Sequence, residues 1–155
     1  MSVPSVTAAL LARGVCRALD QLGYASLVEF PLANGRRADV VALGKGGDLV
    51  IVEIKSSVAD FRADQKWPAY REFSDRLYFA VASGFPTVLI PQECGLMVAD
   101  TFGAAVLYFA AGHHGFDSAN VRPITPSKAS PAGVRMREHT SRMMATDRGF
   151  AICAG

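Results

Sequence analysis

Leu11, Val15, Leu19 and Leu22 recur at helical spacing. Ser5 can cap the start and Gly23 can stop the end, which predicts a helix over about residues 5–22. Gly14 sits in its middle and weakens it. Leu27–Leu32 reads as a strand ended by the turn signal Asn34-Gly35. Ala38–Leu43 and Asp48–Lys55 read as two more, joined by the tight loop Gly44-Lys45-Gly46-Gly47. A helical segment is predicted from Val58 to Phe73, broken near Pro68, which cannot donate within a helix. Leu77–Ala82, Leu96–Ala99 and Ala104–Ala110 complete the strands. The order predicts an α/β fold: a mixed sheet with a largely antiparallel opening, one crossover helix and helices over its faces.

From Gly112 onward Gly, Pro, Ser and Arg dominate and apolar content falls. The expected division is a folded domain over residues 1–111 and a basic, loosely structured tail over 112–155. With 155 residues, half of them hydrophobic, the chain suits a single core.

The formal net charge of +2 conceals an asymmetry. Through Ala111 there are ten Lys/Arg against eleven Asp/Glu, and beyond it six against three. All three histidines (His113, His114 and His139) lie in the tail. Chemistry in the front part must therefore use carboxylates, lysine or metal.

Cys16, Cys94 and Cys153 are scattered without a CxxC spacing, which argues against a zinc knuckle or a thioredoxin-type site. Cys16 reads as a helix-face hydrophobe. Sparse cysteine, no signal-peptide pattern and no long apolar run give the expectation of a cytoplasmic protein outside the membrane.

The chemical signal is an interruption in an apolar run. Leu49-Val50-Ile51-Val52 continues into Glu53-Ile54-Lys55. With a period of two, Glu53 and Lys55 share one side of the strand, where two charges are costly unless compensated. If the hairpin turns near Gly46, Asp39 faces Glu53, with Cβ atoms about 4.5–5.5 Å apart. Like charges so close call for a divalent cation, and oxygen ligands select magnesium, or manganese as a substitute. Lys55 beside it could position a water and stabilise charge developing on a phosphate. The plainer alternative makes Asp39 a strand-start residue near Arg36 or Arg37, and Glu53 with Lys55 a solvated pair at a fraying end.

Asp39, a hairpin and Glu53-Ile54-Lys55 together resemble the PD-(D/E)XK nuclease superfamily, whose restriction-endonuclease-like αβββαβ core matches the predicted order. More narrowly, Gly-Arg-Arg-Ala-Asp-Val-Val-Ala-Leu at 35–43, Val-Glu-Ile-Lys-Ser-Ser at 52–57, Asp-Arg-Leu-Tyr-Phe-Ala-Val at 75–81 and Gly-Leu-Met-Val-Ala-Asp at 95–100 look like the MmcB family of DNA-repair endonucleases. This resemblance covers about residues 5–110 and not the tail. It implies magnesium held by Asp39, Glu53 and the main-chain carbonyl of Ile54, with Lys55 as the catalytic lysine.

The implied function is a magnesium-dependent endodeoxyribonuclease of DNA repair, with DNA as partner, other repair proteins beside it, and a homodimer among the assemblies allowed. The alternative is a catalytically silent module of the same fold that binds DNA or repair partners.

Some relatives carry a Glu on the first helix, where this chain has only Asp20 near the end. Glu29 is an auxiliary acid or a surface residue. Some also carry a Gln and a Tyr four apart after the lysine. Here Gln65 and Tyr70 are five apart around Pro68, while Lys66 and Tyr70 have the spacing that shares a helical face. Either pair could reach a phosphate and a base. Arg36, Arg37 and Lys45 are candidate backbone contacts, and Trp67 reads as core.

Overall fold

The computed structural model describes residues 6–108 and 110. The division at residue 111 and the predicted basic tail therefore lie outside the described residues, as do Ser5 and all three histidines.

Six strands form one sheet in sequential order. They are β1 (Ala25–Pro31), β2 (Arg37–Leu43), β3 (Leu49–Lys55), β4 (Arg76–Val81), β5 (Gly95–Ala99) and β6 (Ala104–Tyr108). The pairs β1–β2, β2–β3 and β5–β6 are antiparallel, whereas β3–β4 and β4–β5 are parallel. Helix α1 (Val6–Gln21) precedes the sheet, and helix α2 (Val58–Ala63) lies in the crossover from β3 to β4. This is the mixed α/β arrangement the sequence predicted, with αβββαβ as its core and two strands added.

Each sheet face has its own core. On one, Leu11, Val15, Cys16 and Leu19 of α1 pack against Val40, Ala42, Val50, Val52 and Ile54. Leu22 falls just past the helix and is exposed, so it does not extend the buried stripe. The helix ends where Gly23 takes φ 85°, with its amide donating to the Asp20 carbonyl and the Leu22 amide to that of Ala18.

Gly14 has a packing reason. A Cβ there would run into the Asp100 carbonyl oxygen and stand 2.6 Å from that of Gly103, both in the β5–β6 turn. Alanine's better helix propensity, about 1 kcal/mol, is outweighed because backbone cannot yield as a side chain can. Gly14→Ala is expected to destabilise the fold by about 1–3 kcal/mol, read from urea unfolding midpoints.

The opposite face holds Phe30, Ala38, Val41, Leu49, Ile51, Leu77 and Phe79 beneath the crossover segment. Here the predicted break near Pro68 is corrected. Helix α2 stops at Ala63, Asp64 is extended (φ −88°, ψ 98°), and Trp67–Phe73 is a separate 3-10 helix. Pro68 therefore lies in the first turn of the second piece, where its missing N–H is harmless, and does not break the first. The 3-10 period of three brings Trp67, Tyr70 and Phe73 onto one side, and all three belong to this core. Trp67 meets Phe79 edge-on at 5.9 Å between centroids, so it is a core residue, as expected.

Candidate metal and phosphate site

β3 is buried along all seven residues, the charged pair included. Glu53 is 4% exposed and Lys55 5%. A solvated pair at a fraying strand end is thus not what the structure contains. Leu49 and Ile51 of β3 belong to the core beneath α2, and by strand alternation Glu53 and Lys55 continue that side.

The β2–β3 hairpin has the predicted register: Val40 pairs with Val52, Val41 with Ile51, Ala42 with Val50 and Leu43 with Leu49. One step further, Asp39 and Glu53 meet, and there the side chains take over from the backbone ladder. The Asp39 amide donates to Glu53 Oε1 at 3.2 Å, and the Ile54 amide donates to Asp39 Oδ2 at 2.7 Å. Each carboxylate is thus tied to the opposite strand through one oxygen. Among the described residues these hydrogen bonds use Asp39 Oδ2 and Glu53 Oε1, which leaves Asp39 Oδ1 and Glu53 Oε2 for another partner.

Burial raises the pKa of Asp39, and Asp60 nearby adds to the shift. The Ile54 amide, Lys55 and Arg37 offset it only in part. Glu53 is raised further, by deeper burial and by the charge of Asp39, against the Asp39 amide and Lys55. The pair is therefore an unfavourable place for two negative charges on its own account.

The backbone distorts at the same point. Glu29 is the described non-glycine residue with positive φ, at 51°. The β1–β2 pairing runs through Val28–Val40 and resumes at Phe30–Ala38, passing over Glu29 and Asp39. Val28 and Val40 pack on the α1 face, whereas Phe30 and Ala38 pack on the other. Two residues apart on a regular strand, each set would share a face. Both strands therefore roll over at this position. A left-handed residue of this kind costs of order 1–3 kcal/mol and tends to cluster at functional sites.

Glu29 itself is exposed, and its Oε1 lies 3.7 Å from an Arg37 guanidinium nitrogen. Among the described residues, no group of three or more His, Cys, Asp or Glu side chains is arranged to hold a metal. Glu29 therefore does not join Asp39 and Glu53 in such a group.

The remaining predicted contacts are dispersed. Tyr70 is buried, and its hydroxyl donates to the Arg37 carbonyl at 3.2 Å. Burial, then the charges of Glu53, Asp39 and Asp64, raise its pKa, so it is a neutral hydroxyl beside the acids. Gln65 is exposed and donates to the Arg62 carbonyl. Lys66 is exposed at the cap of the 3-10 helix. The helical face expected for Lys66 and Tyr70 does not exist, because no α-helix spans them. Lys45 sits in the hairpin turn, at the other end of β3 from Glu53.

One residue of the site escaped the sequence reading. Asp64, in the break between the two helical pieces, accepts from Lys55 Nζ at 2.5 Å and from the Lys66 amide at 2.9 Å. Partial burial works against its charge, but these two hydrogen bonds win and hold its carboxyl below the usual value. A faint signal existed: an acid directly before a short polar stretch and Trp-Pro, where a helix must restart.

A family model described as DNA repair protein MmcB-like matches residues 2–143. The chain belongs to the MmcB-like family. The match runs well past residue 110, so most of the basic segment belongs to the MmcB-like pattern, contrary to the expectation that the tail stands apart from it. A solved structure of a protein of unknown function from Silicibacter pomeroyi is 34% identical to this MmcB-like chain. It superposes with a TM-score of 0.70, covering 95% of this chain and 98% of that one. No curated protein matches. Among the described residues no helix is long and apolar enough to cross a membrane.

Proposed function

We propose that this MmcB-like protein is a divalent-metal-dependent endonuclease that hydrolyses DNA phosphodiester bonds during repair. The observation that carries this reading is the Asp39–Glu53 pair: a buried carboxylate opposed to a half-buried one, each tied to the other strand through one oxygen with one left over. Hard oxygen donors with unrelieved negative charge fit magnesium or manganese, and the Ile54 carbonyl on the same strand would complete the protein's share of ligands. When bound, the cation supplies Lewis-acid polarisation of the scissile phosphate.

The protein's own residues do the rest. The cross-strand hydrogen bonds fix both carboxylates before anything binds, which limits reorganisation on loading. Lys55, two residues beyond Glu53 on the same side, presents an ammonium to the charge that develops on the phosphoryl oxygens and helps position the attacking water. Tyr70, its hydroxyl given to the Arg37 carbonyl, braces the strand that carries Asp39, and Arg36 and Arg37 bring positive charge suited to backbone phosphates. Membership in a DNA repair family supports DNA as the substrate.

The test is a nicking assay on a panel of duplex, flap, branched, damaged and single-stranded DNA with magnesium or manganese. Cleavage of at least one structure, abolished by chelator, is expected; no cleavage of any would contradict the reading.

A silent DNA-binding module is the second reading. The slightly acidic balance of residues 1–111 favours it, since few free basic groups give weak backbone affinity. It predicts no cation binding at Asp39 and Glu53.

A further inference from the structure

Lys55 is flanked by three carboxylates and pairs with one. Among the described residues the ion pair within 4.0 Å of its ammonium is to Asp64. Its own strand neighbour Glu53, and Asp39 opposite, are not at that distance. The Lys55 and Asp64 side chains are 7% and 16% exposed, so the pair is shielded from water. Asp64 is held in turn: its second oxygen takes the Lys66 amide, and its own amide donates to the carbonyls of Asp60 and Phe61 at the end of α2.

A buried ammonium beside two uncompensated carboxylates would ordinarily collapse onto one of them. That would neutralise the pair and occupy the place of a cation. Given the cation site proposed above, we infer that Asp64 is the positioning residue for Lys55. It draws the ammonium off the Asp39–Glu53 pair, leaves those oxygens to the metal, and keeps Lys55 at the rim where the phosphate docks. The unusual break in the crossover helix has a purpose on this view. An uninterrupted α-helix would give position 64 no extended backbone and no neighbouring amide to anchor its carboxylate.

The test uses the full chain and two independent readouts. Asp64→Asn keeps an acceptor for the Lys66 amide while removing the charge that holds Lys55. In protein carrying 15N-lysine, the Lys55 ammonium signal is identified by its loss in Lys55→Ala. Its hydrogen exchange is expected to quicken about tenfold or more in Asp64→Asn and to be restored in Asp64→Glu. Unchanged exchange in Asp64→Asn overturns the assignment, whatever the protein does with metals.

Manganese titration is the second readout. Asp64→Asn is expected to weaken binding about tenfold, but by less than about twofold when added to Lys55→Ala, because no lysine remains to collapse. Equal weakening in both backgrounds overturns the inference, since Asp64 would then act by its charge alone. Absence of manganese binding by the unaltered protein would defeat the cation site and Asp64's part in clearing it. The exchange measurement would still decide whether Asp64 holds Lys55.

Discussion

Asp39→Asn, Glu53→Gln and Lys55→Ala are each expected to lower magnesium-dependent DNA nicking by at least about 100-fold. The two amide substitutions are the informative ones. The introduced side-chain amides retain an oxygen to accept from the Ile54 and Asp39 backbone N–H groups, so the hairpin geometry survives while the cation site does not. On the proposed mechanism, Lys55→Ala removes the charge that would face the phosphoryl oxygens and keeps both carboxylates in the chain. If the three groups serve one step, as proposed, their effects should fall far short of additive: the Asp39→Asn/Glu53→Gln double variant should lose little more than either single change. Initial rates on a supercoiled plasmid, with folding verified by thermal melts, provide the measurement. Full activity in any of the three would remove that residue from the mechanism.

The same Glu53→Gln change is expected to make the metal-free protein more stable. Burial and the neighbouring Asp39 raise the Glu53 carboxyl well above its ordinary value of 4.5. The sign follows from proton counting. Between the ordinary and the raised value the folded state holds a proton that the unfolded chain has released, so stability falls as pH rises through that window and stays lowered above it. Each unit of such a rise costs about 1.4 kcal/mol at neutral pH. Glutamine has no charge to bury.

The variant should therefore gain roughly 1 kcal/mol or more at pH 7.5, about 2–4 °C in melting temperature for a chain of this length. The gain should shrink towards zero below about pH 4.5, where the carboxyl is protonated in both states. Magnesium or manganese should raise the melting temperature of the unaltered protein and leave that of the variant in place. A variant less stable than the parent at pH 7.5 would show Glu53 to be a structural acid. Activity lost with stability gained marks a residue kept for function.

Much of the fold was legible because the chain punctuates itself plainly. Asn34-Gly35 and the run from Gly44 to Gly47 closed two turns, and the apolar runs between them were long enough to fix the register by which Asp39 meets Glu53. The site was legible for a related reason: charges inside the run Leu49–Lys55 contradict its burial, and such contradictions mark function. The crossover segment was harder. Trp67, Tyr70 and Phe73 repeat every third residue, a 3-10 pattern that also fits an α-helix loosely, and Pro68 drew the expected break four residues too late. Asp64 left only a faint trace because its importance lies in a contact with Lys55 across that break. The positive φ at Glu29 had no signal either, since nothing in Val28-Glu29-Phe30 calls for a left-handed residue.

The central claim is that Asp39 and Glu53 form a divalent-cation site. Isothermal titration of the metal-free protein with magnesium and with manganese tests it most directly, run beside the Asp39→Asn/Glu53→Gln double variant. The account predicts one cation bound per unaltered chain, with binding lost in the double variant and its fold intact. Identical titrations for the two proteins, or no binding by either, would contradict it.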